Sequence, residues 1–293
     1  MRQFTAVVNP TAGGSTSAAA LLAVARLLRE AGAGLETEYS RSLAHARELA
    51  RQAGDRGRVV LAVGGDGMAG GIGGALSGTG AVLGLVPAGR GNDFARMLGL
   101  PRDPAALADL LLHGEPRPVD TVEVTSAVHD RAVVLGSVYA GVDALANRHA
   151  NHARLLRGTA SYYAGALRAI TTWRRTRYRV TVDGQEHSFG GYTVVAANSG
   201  YYGSNRRIAP GARVDDGLLD VVMIHEAPRR LFFALMNELE SGTHVHRPQV
   251  RVVRGREVRI EADRAVPYGA DGEVEAVLPV TARVLPGALR VLH

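Results

Sequence analysis

Apolar segments that alternate with helical segments over the first 113 residues constrain the fold of this chain more than any other feature of its sequence. The predicted strands are Phe4–Val8, Leu35–Tyr39, Val59–Val63 and Ala81–Val86, and the predicted helices are Ala18–Glu30, His45–Ala53 and Pro104–Leu112. A helix between two strands places those strands in parallel. The alternation therefore predicts an α/β domain built on a doubly wound, mostly parallel sheet.

From about residue 120 the pattern changes to short strands separated by turn residues, which predicts a mainly antiparallel β-sandwich. The predicted strands are Asp120–Val124, Ala132–Tyr139, Arg177–Val182, Tyr192–Asn198, Leu219–Ile224, Val250–Val253, Val258–Glu261 and Ala282–Leu285. Helical segments interrupt them at about 144–173 and 229–241. We therefore expect two domains, 1–120 and 121–281, the second of them carrying the helical insert at 144–173.

The composition excludes several kinds of chemistry. All 34 basic residues are arginine, and the chain contains no cysteine. The absence of lysine excludes a Schiff base, a lysine-type P-loop and the lysine–glutamate pair of protein kinases. The absence of cysteine excludes a thiolate nucleophile, a disulfide and cysteine-bound zinc. A phosphate group must then be held by backbone N–H groups, arginines or a metal, and the net charge of +6 favours an anionic partner.

The most informative short motif is Val63-Gly64-Gly65-Asp66-Gly67, between a predicted strand and a helix. Such a turn lets the backbone approach a phosphate, and the helix N-terminus supplies N–H donors. A carboxylate repels phosphate, so Asp66 indicates a Mg²⁺ ion between the two. Gly65, Gly67 and Gly70 also fit G-x-G-x-x-G. No acidic residue follows before Asp93, however, and this disfavours a dinucleotide-dependent dehydrogenase.

Two further loops follow predicted strands, at Asn9–Ser15 and Pro87–Arg96. The carboxyl edge of a doubly wound sheet is where ligands bind, so all three loops belong to one candidate site. Arg90 is a candidate phosphate clamp. Asp93 has two alternative roles, to orient a metal-bound water or to cap the helix that follows.

The second half contains two acidic turns, Asp215–Asp220 and Tyr268–Glu273. An aspartate with nearby carbonyl groups can hold a hard cation such as Mg²⁺ at the first turn. The second turn, taken alone, is typical of a solvated hairpin turn.

Five motifs follow one another along the chain: the Asn-Pro start, GGDG, P-x-G-x-GNDFAR, DDG-x-LD and a late DGE. In this order they resemble the diacylglycerol kinase catalytic family, most closely its soluble bacterial lipid kinases. That superfamily also contains the NAD kinases. The resemblance implies a nucleotide-binding α/β domain and a β-sandwich lipid domain, with the last strand, about 282–293, returning to the first domain. It also implies that ATP and Mg²⁺ are used in the cleft between domains to phosphorylate the hydroxyl of a lipid such as diacylglycerol.

The resemblance also implies a role for individual residues. Glu273 matches the general base, Asp271 would support it, and Asp66 would bind the nucleotide and its metal. The expected nucleotide-binding set is Asn9, Pro10, Ser40, Gly64, Gly65, Asp66, Gly67, Met68, Arg90, Asn92 and Asp93. The expected structural Mg²⁺ site consists of Asp216 with the carbonyl groups of Arg213 and Leu218. Met68 and Arg90 depart from the family pattern, because each stands where a threonine is usual.

We expect a cytoplasmic enzyme that contacts anionic membranes peripherally and takes a lipid alcohol as its acceptor. Nucleic-acid binding is not expected, because only the arginines favour it. Self-association into a homodimer is left open. Two alternatives remain: a soluble-metabolite kinase similar to NAD kinases, and a non-catalytic protein that binds a nucleotide or a lipid.

Overall fold

The structure is a computed structural model that describes residues 2–9, 15–89, 91–128, 131–152, 159–228, 230–271 and 273–293. Within these ranges, side chains are not described for 15–17, 150–152, 159–164, 230, 232–233 and 273–275.

The first half is a parallel sheet covered by helices on both faces, as its alternating sequence predicts. Its strands are β1 (Gln3–Val8), β2 (Gly34–Tyr39), β3 (Val59–Gly64) and β4 (Val82–Pro87). Its helices are α1 (Ser15–Glu30), α2 (Leu43–Asp55), α3 (Asp66–Leu76), α4 (Asp93–Met97) and α5 (Pro104–His113). The strand order is β4-β3-β1-β2, and every pair is parallel. All four carboxyl ends therefore lie along one edge of the sheet.

The second half is mainly antiparallel and β-rich, so the predicted fold class is confirmed. Its first strands are β5 (Pro116–Ser126), β6 (Ala132–Val134), β7 (Ser137–Gly141), β8 (Arg177–Val182), β9 (Gln185–Ala197) and β10 (Leu219–His225). The later strands are β11 (Val250–Gly255), β12 (Glu257–Ala262), β13 (Pro267–Ala270), β14 (Glu273–Val277) and β15 (Val280–Leu292). Helices α6 (Val142–His152), α7 (Thr159–Thr172) and α8 (Arg230–Ser241) and a 3₁₀ helix, Thr243–His246, complete it. No helix among the described residues is both long and apolar enough to cross a membrane.

One long strand joins the two halves. The first part of β15 pairs antiparallel with β12, and its last part pairs parallel with β4, where Arg290 lies opposite Val82. Strand β5 runs antiparallel to β15 along almost its whole length. The parallel and antiparallel strands therefore form one continuous sheet, and the two halves are fixed to each other through backbone hydrogen bonds.

Two segments differ from the sequence-based expectation. Residues 132–139 were expected to be one strand but form β6 and β7, separated by Leu135 and Gly136. The carboxylate of Asp271 accepts the N–H groups of these two residues, so they donate to a side chain and interrupt the strand. Strands β13 and β14 were missed, because Pro267–Ala270 is short and fully buried and has no apolar–polar alternation.

Helix α3 contains five glycines, and at three of them the lack of a side chain lets the second half approach the helix closely. A Cβ at Gly70 would lie 2.7 Å from Asp271 Oδ2, and one at Gly73 would lie 2.6 Å from Leu135 Cδ1. A Cβ at Gly74 would overlap the carbonyl oxygen of Val133 on β6. Since backbone cannot move aside as easily as a side chain, Gly74 sets the distance between α3 and β6.

Replacing Gly74 with alanine should therefore destabilise the protein by about 1–3 kcal/mol, the usual cost of overpacking. The control is Gly67→Ala in the same helix, where a Cβ has no neighbour within 4 Å. Alanine there should be neutral or stabilise the helix by about 0.5–1 kcal/mol. Thermal unfolding of both variants checks this, and equal stability of the two would contradict the close contact.

Candidate active site

The candidate site begins at the carboxyl ends of β3 and β4, where two glycines let neighbouring loops touch. A Cβ at Gly65 would lie 3.1 Å from the Cα of Gly89, so the two backbones are in van der Waals contact. Asn92 closes the second loop on itself, since its amide oxygen accepts from the N–H of Gly89 at 2.9 Å and its amide nitrogen donates to Gly89 O at 2.8 Å. The side chain of Asn92 therefore stabilises the conformation of the loop.

Asp66 connects the start of α3 to the start of α4. Its Oδ1 accepts the N–H of Phe94 at 3.1 Å, so Asp66, and not Asp93, caps the short helix α4. Burial raises the pKa of Asp66, and the nearby charge of Asp93 raises it further, while backbone N–H groups at the start of α4 lower it. Among the described residues no ion pair neutralises this carboxylate. A partly buried carboxylate of this kind is a suitable ligand for Mg²⁺ bound with a nucleotide.

Asp93 binds a loop of the second half of the chain. Its two carboxylate oxygens accept the N–H groups of Ser204, at 2.8 Å, and Asn205, at 2.7 Å, and Arg96 donates to it at 2.8 Å. Both loop residues have positive φ, 67° for Ser204 and 78° for Asn205. The sequence left two roles open for Asp93, and these contacts are not those of a residue that caps α4. Asp93 instead fastens the loop at 203–205 to the α/β half.

Asp271 lies two residues before Glu273, the predicted general base. Its carboxylate accepts three backbone N–H groups, from Leu135 at 2.7 Å, Gly136 at 2.8 Å and Ser137 at 3.1 Å. Burial raises its pKa from 3.8 to about 6, although these hydrogen bonds oppose the shift. Its contribution to stability therefore falls as the pH rises from about 4 to about 6. The backbone of Glu273 pairs with Ala270, and its side chain lies outside the described residues.

The other residues expected to bind nucleotide lie in different surroundings. Ser40 is buried at the end of β2, where its hydroxyl donates to Val8 O at 3.1 Å. Met68 is buried in the core, and its side chain packs against Gly64 of the glycine turn. Asn9 is half-buried at the end of β1. Pro10 and Arg90 lie outside the described residues.

A cavity of about 190 Å³ lies between the two halves of the chain, and we call it the cleft cavity. Residues of α3, α4, β7, α6 and the loop at 199–204 line it. Its carboxylates are Asp66, Asp93, Asp143 and Asp271, and its aromatic side chains are Phe94, Tyr139, Tyr201 and Tyr202. The structure therefore brings Asp66, Asp93 and Asp271 together around one space.

Sequence reasoning missed Asp143 and the tyrosines of this cavity. The hydroxyl of Tyr202 donates to Asp143 Oδ2 at 3.2 Å. Burial raises the pKa of Asp143, although hydrogen bonds with Thr193 and Tyr202 lower it. A sequence signal for Asp143 was present, because Gly141 ends strand β7 directly before a helix with an aspartate in its first turn. That is the same strand–glycine–helix pattern that identified Asp66.

Two further spaces adjoin the cleft cavity along the sheet edge. A small space of about 10 Å³ lies under the loop Gly64–Asp66. A groove of about 570 Å³, which we call the α1–α5 groove, is lined by α1, α4 and α5 and includes Val24, Leu107 and Arg102. Gly91 borders both the groove and the cleft cavity. The three spaces therefore share lining residues and lie side by side at the ends of β3 and β4.

The acidic turn at 215–220 lies apart from this surface. Asp216 accepts from the N–H of Leu218 at 3.1 Å and forms an ion pair with Arg254. The side chain of Arg213 pairs with Asp215 at 3.2 Å. No group of three or more His, Cys, Asp or Glu side chains suited to a metal ion occurs in the described part of the chain. The expected Mg²⁺ at Asp216 and the carbonyls of Arg213 and Leu218 stays a prediction.

Comparison with known proteins agrees with this arrangement. Residues 3–124 match the diacylglycerol kinase catalytic domain, and residues 136–293 match the YegS C-terminal NAD kinase β-sandwich-like domain. A diacylglycerol kinase of Mycobacterium tuberculosis is 33% identical over 298 residues, covering 99% of this chain and 95% of the relative. A probable lipid kinase YegS-like protein of Chromohalobacter salexigens is 33% identical over 274 residues, covering 89% and 85%.

A solved structure of a diacylglycerol kinase from Bacillus anthracis has the same fold, with a TM-score of 0.73 at 19% identity, covering 100% of this chain and 96% of that one. The fold and the matched domains define a kinase with an α/β catalytic half and a β-sandwich half. The chain belongs to the diacylglycerol kinase family of lipid kinases.

Removal of the Asp93 carboxylate should release the loop at 203–205. In Asp93→Ala, amide hydrogen exchange at Ser204 and Asn205 should rise about 10-fold or more, because each amide loses a charge-assisted hydrogen bond. Asp103→Ala is the matched control, since it removes a carboxylate that caps α5 through Ala106. Unchanged exchange at Ser204 and Asn205 in Asp93→Ala would contradict the fastening role.

Proposed function

We propose that this enzyme transfers the γ-phosphoryl group of ATP, in the presence of Mg²⁺, to the hydroxyl of a lipid alcohol such as diacylglycerol. The observation that carries the proposal is that the α1–α5 groove, the loop Gly64–Asp66 and the cleft cavity lie side by side and share lining residues. A nucleotide laid along it places its base in the groove and its phosphates over the loop. The γ-phosphate then reaches the cleft between a domain at 1–120, joined by the last strand, and a domain at 121–281.

The dimensions of the spaces support this assignment. The groove of about 570 Å³ falls in the usual range for small-molecule sites, roughly 300–1,000 Å³, and is lined mainly by apolar side chains with Arg96 and Arg102. The cleft cavity, at about 190 Å³, is below that range. It suits the polar end of a lipid, whose acyl chains would extend outside it.

Backbone groups, an arginine and a metal would hold the phosphates in this chain. Gly64, Gly65 and Gly67 offer close backbone approach, and Arg90 would supply positive charge from the adjacent loop. Asp66 has the carboxylate that Mg²⁺ prefers, and the ion would neutralise charge on the phosphates when it is bound. These groups together replace the lysine that many kinases use.

Proton transfer from the lipid hydroxyl would fall to Glu273. A carboxylate base must lie within hydrogen-bond reach of the hydroxyl. Glu273 begins β14, two residues after Asp271, which lines the cleft cavity. Three backbone N–H groups hold the carboxylate of Asp271 at the cavity, and this supports a base two residues further along the chain. Asp271 would thus position the base, and Asp143 and Tyr202 would contact the polar end of the acceptor.

We also propose a cytoplasmic enzyme that meets its substrate at an anionic membrane surface. The net charge of +6 supports such contact, and helix α7 presents the exposed side chains of Leu167 and Arg168.

The proposed activity is tested with labelled ATP, Mg²⁺ and a panel of lipid alcohols that includes diacylglycerol, sphingoid bases and other glycerolipids. The proposal predicts phosphate transfer to at least one of them, and no transfer without Mg²⁺. ATP binding without transfer to any lipid would favour a non-catalytic protein. The same assay with NAD as the acceptor tests the alternative, since transfer to NAD would favour a soluble-metabolite kinase.

Glu273→Gln should lower the rate of transfer by about 10²–10⁴-fold, the usual contribution of a general base. The dissociation constant for ATP should stay unchanged, because the base acts on the acceptor. Glu257→Gln, at an exposed position on β12, is the control and should keep full activity. Retained turnover in Glu273→Gln would rule out the role of base.

Arg90→Ala should weaken ATP binding by about 10-fold, because one charge-assisted contact to phosphate is lost. The control is Arg283→Ala, which removes an arginine that pairs with Glu123 on the sandwich. Isothermal titration of ATP with Mg²⁺ measures both variants, and normal affinity in Arg90→Ala would refute the proposed phosphate contact.

A further inference from the structure

Two carboxylates of the acidic turn at 215–220, those of Asp216 and Asp220, share a single arginine. Asp220 on β10 lies directly opposite Arg254 on β11 in the antiparallel register. The Nε of Arg254 donates to Asp220 Oδ2 at 3.2 Å, and its Nη2 donates to Asp216 Oδ2. One guanidinium group therefore bridges both carboxylates.

The oxygen atoms of Asp216 are occupied in a way that does not suit a divalent cation. Oδ2 is bound by Arg254, and Oδ1 accepts the N–H of Leu218 at 3.1 Å. A cation at this carboxylate would have to displace the guanidinium group and would meet the amide hydrogen of Leu218. Mg²⁺ needs near-octahedral oxygen coordination. The neighbouring carboxylate of Asp215 is already paired with Arg213. The Asp216 carboxylate, which is the side-chain donor of the Mg²⁺ site expected from the sequence, therefore already has a partner on each oxygen and does not fit that role.

The turn matters to the fold because it is fastened to the strands that join the two halves of the chain. Buried Asp120 on β5 accepts the N–H of Gly217 at 2.7 Å and the N–H of Gly287 on β15 at 2.7 Å. Burial raises the pKa of Asp220, and the charge of Arg254 opposes that shift. Without Arg254, the buried carboxylate of Asp220 would keep no described cationic partner, which is a costly arrangement.

We propose that the guanidinium group of Arg254 supplies the positive charge that the sequence assigned to a structural Mg²⁺ ion at Asp216. The turn at 213–220 then keeps its conformation without any divalent cation, and Mg²⁺ is required only with the nucleotide. The inference concerns the stability of the free protein and is independent of the proposed lipid substrate.

The test is thermal unfolding of the full chain without nucleotide, after dialysis against EDTA and again with excess MgCl₂. The midpoint of the wild-type protein should be the same in both conditions. Arg254→Gln should lower the midpoint by roughly 5 °C or more in EDTA, because two carboxylates lose their shared partner. Arg259→Gln is the matched control, since Arg259 on β12, the next strand along the chain, pairs with Glu261 at the surface, and it should change the midpoint by less than about 2 °C.

Three results decide the proposal. A wild-type midpoint that falls in EDTA and recovers with MgCl₂ overturns it, because the turn then depends on a metal. An unchanged midpoint in Arg254→Gln also overturns it. If Arg254→Gln does not fold, Arg254→Lys replaces it: this variant keeps the charge, and its midpoint should be equally insensitive to MgCl₂. Stabilisation of Arg254→Lys and the wild-type protein by MgCl₂ contradicts the proposal in the same way.

Discussion

The close packing of helix α3 against strand β6 is the constraint on which the rest of the candidate site depends. Gly70, Gly73 and Gly74 have no side chains, so the second half of the chain comes within van der Waals contact of a helix that begins at Asp66. This contact brings Asp271 beside α3 and closes one side of the cleft cavity. A larger residue at any of these positions would push the two halves apart and widen the cleft cavity.

Buried or half-buried aspartates are the second recurring feature, and each joins separate segments of the chain. In each case the carboxylate accepts backbone N–H groups, so the contact depends on main-chain position more than on the partner's side chain. The pairs are Asp66 with Phe94, Asp93 with Ser204 and Asn205, Asp120 with Gly217 and Gly287, and Asp271 with Leu135, Gly136 and Ser137. A carboxylate that accepts several N–H groups is held in one orientation. Of these aspartates, Asp66, Asp93 and Asp271 line the cleft cavity, and their negative charges make a cation there favourable.

The fold class and the first half of the site could be predicted from the sequence because both follow from local patterns. An apolar strand followed by glycines and a helix located Asp66, and alternation of strands and helices placed it at the carboxyl edge of the sheet. The contacts of Asp93 and Asp271 could not be predicted, since their partners lie more than 100 residues away. The arginine at the acidic turn was missed for the same reason, because only the β10–β11 register brings Arg254 to Asp216 and Asp220.

The central claim is that the nucleotide binds in the α1–α5 groove and meets the acceptor in the neighbouring cleft cavity. A crystal structure with a non-hydrolysable ATP analogue, Mg²⁺ and a short-chain diacylglycerol tests it most directly. The account predicts the base in the groove beside Val24 and Leu107, the phosphates over Gly64–Asp66 and the acceptor hydroxyl in the cleft cavity beside Glu273. A nucleotide bound elsewhere, or an acceptor outside the cleft cavity, would contradict it.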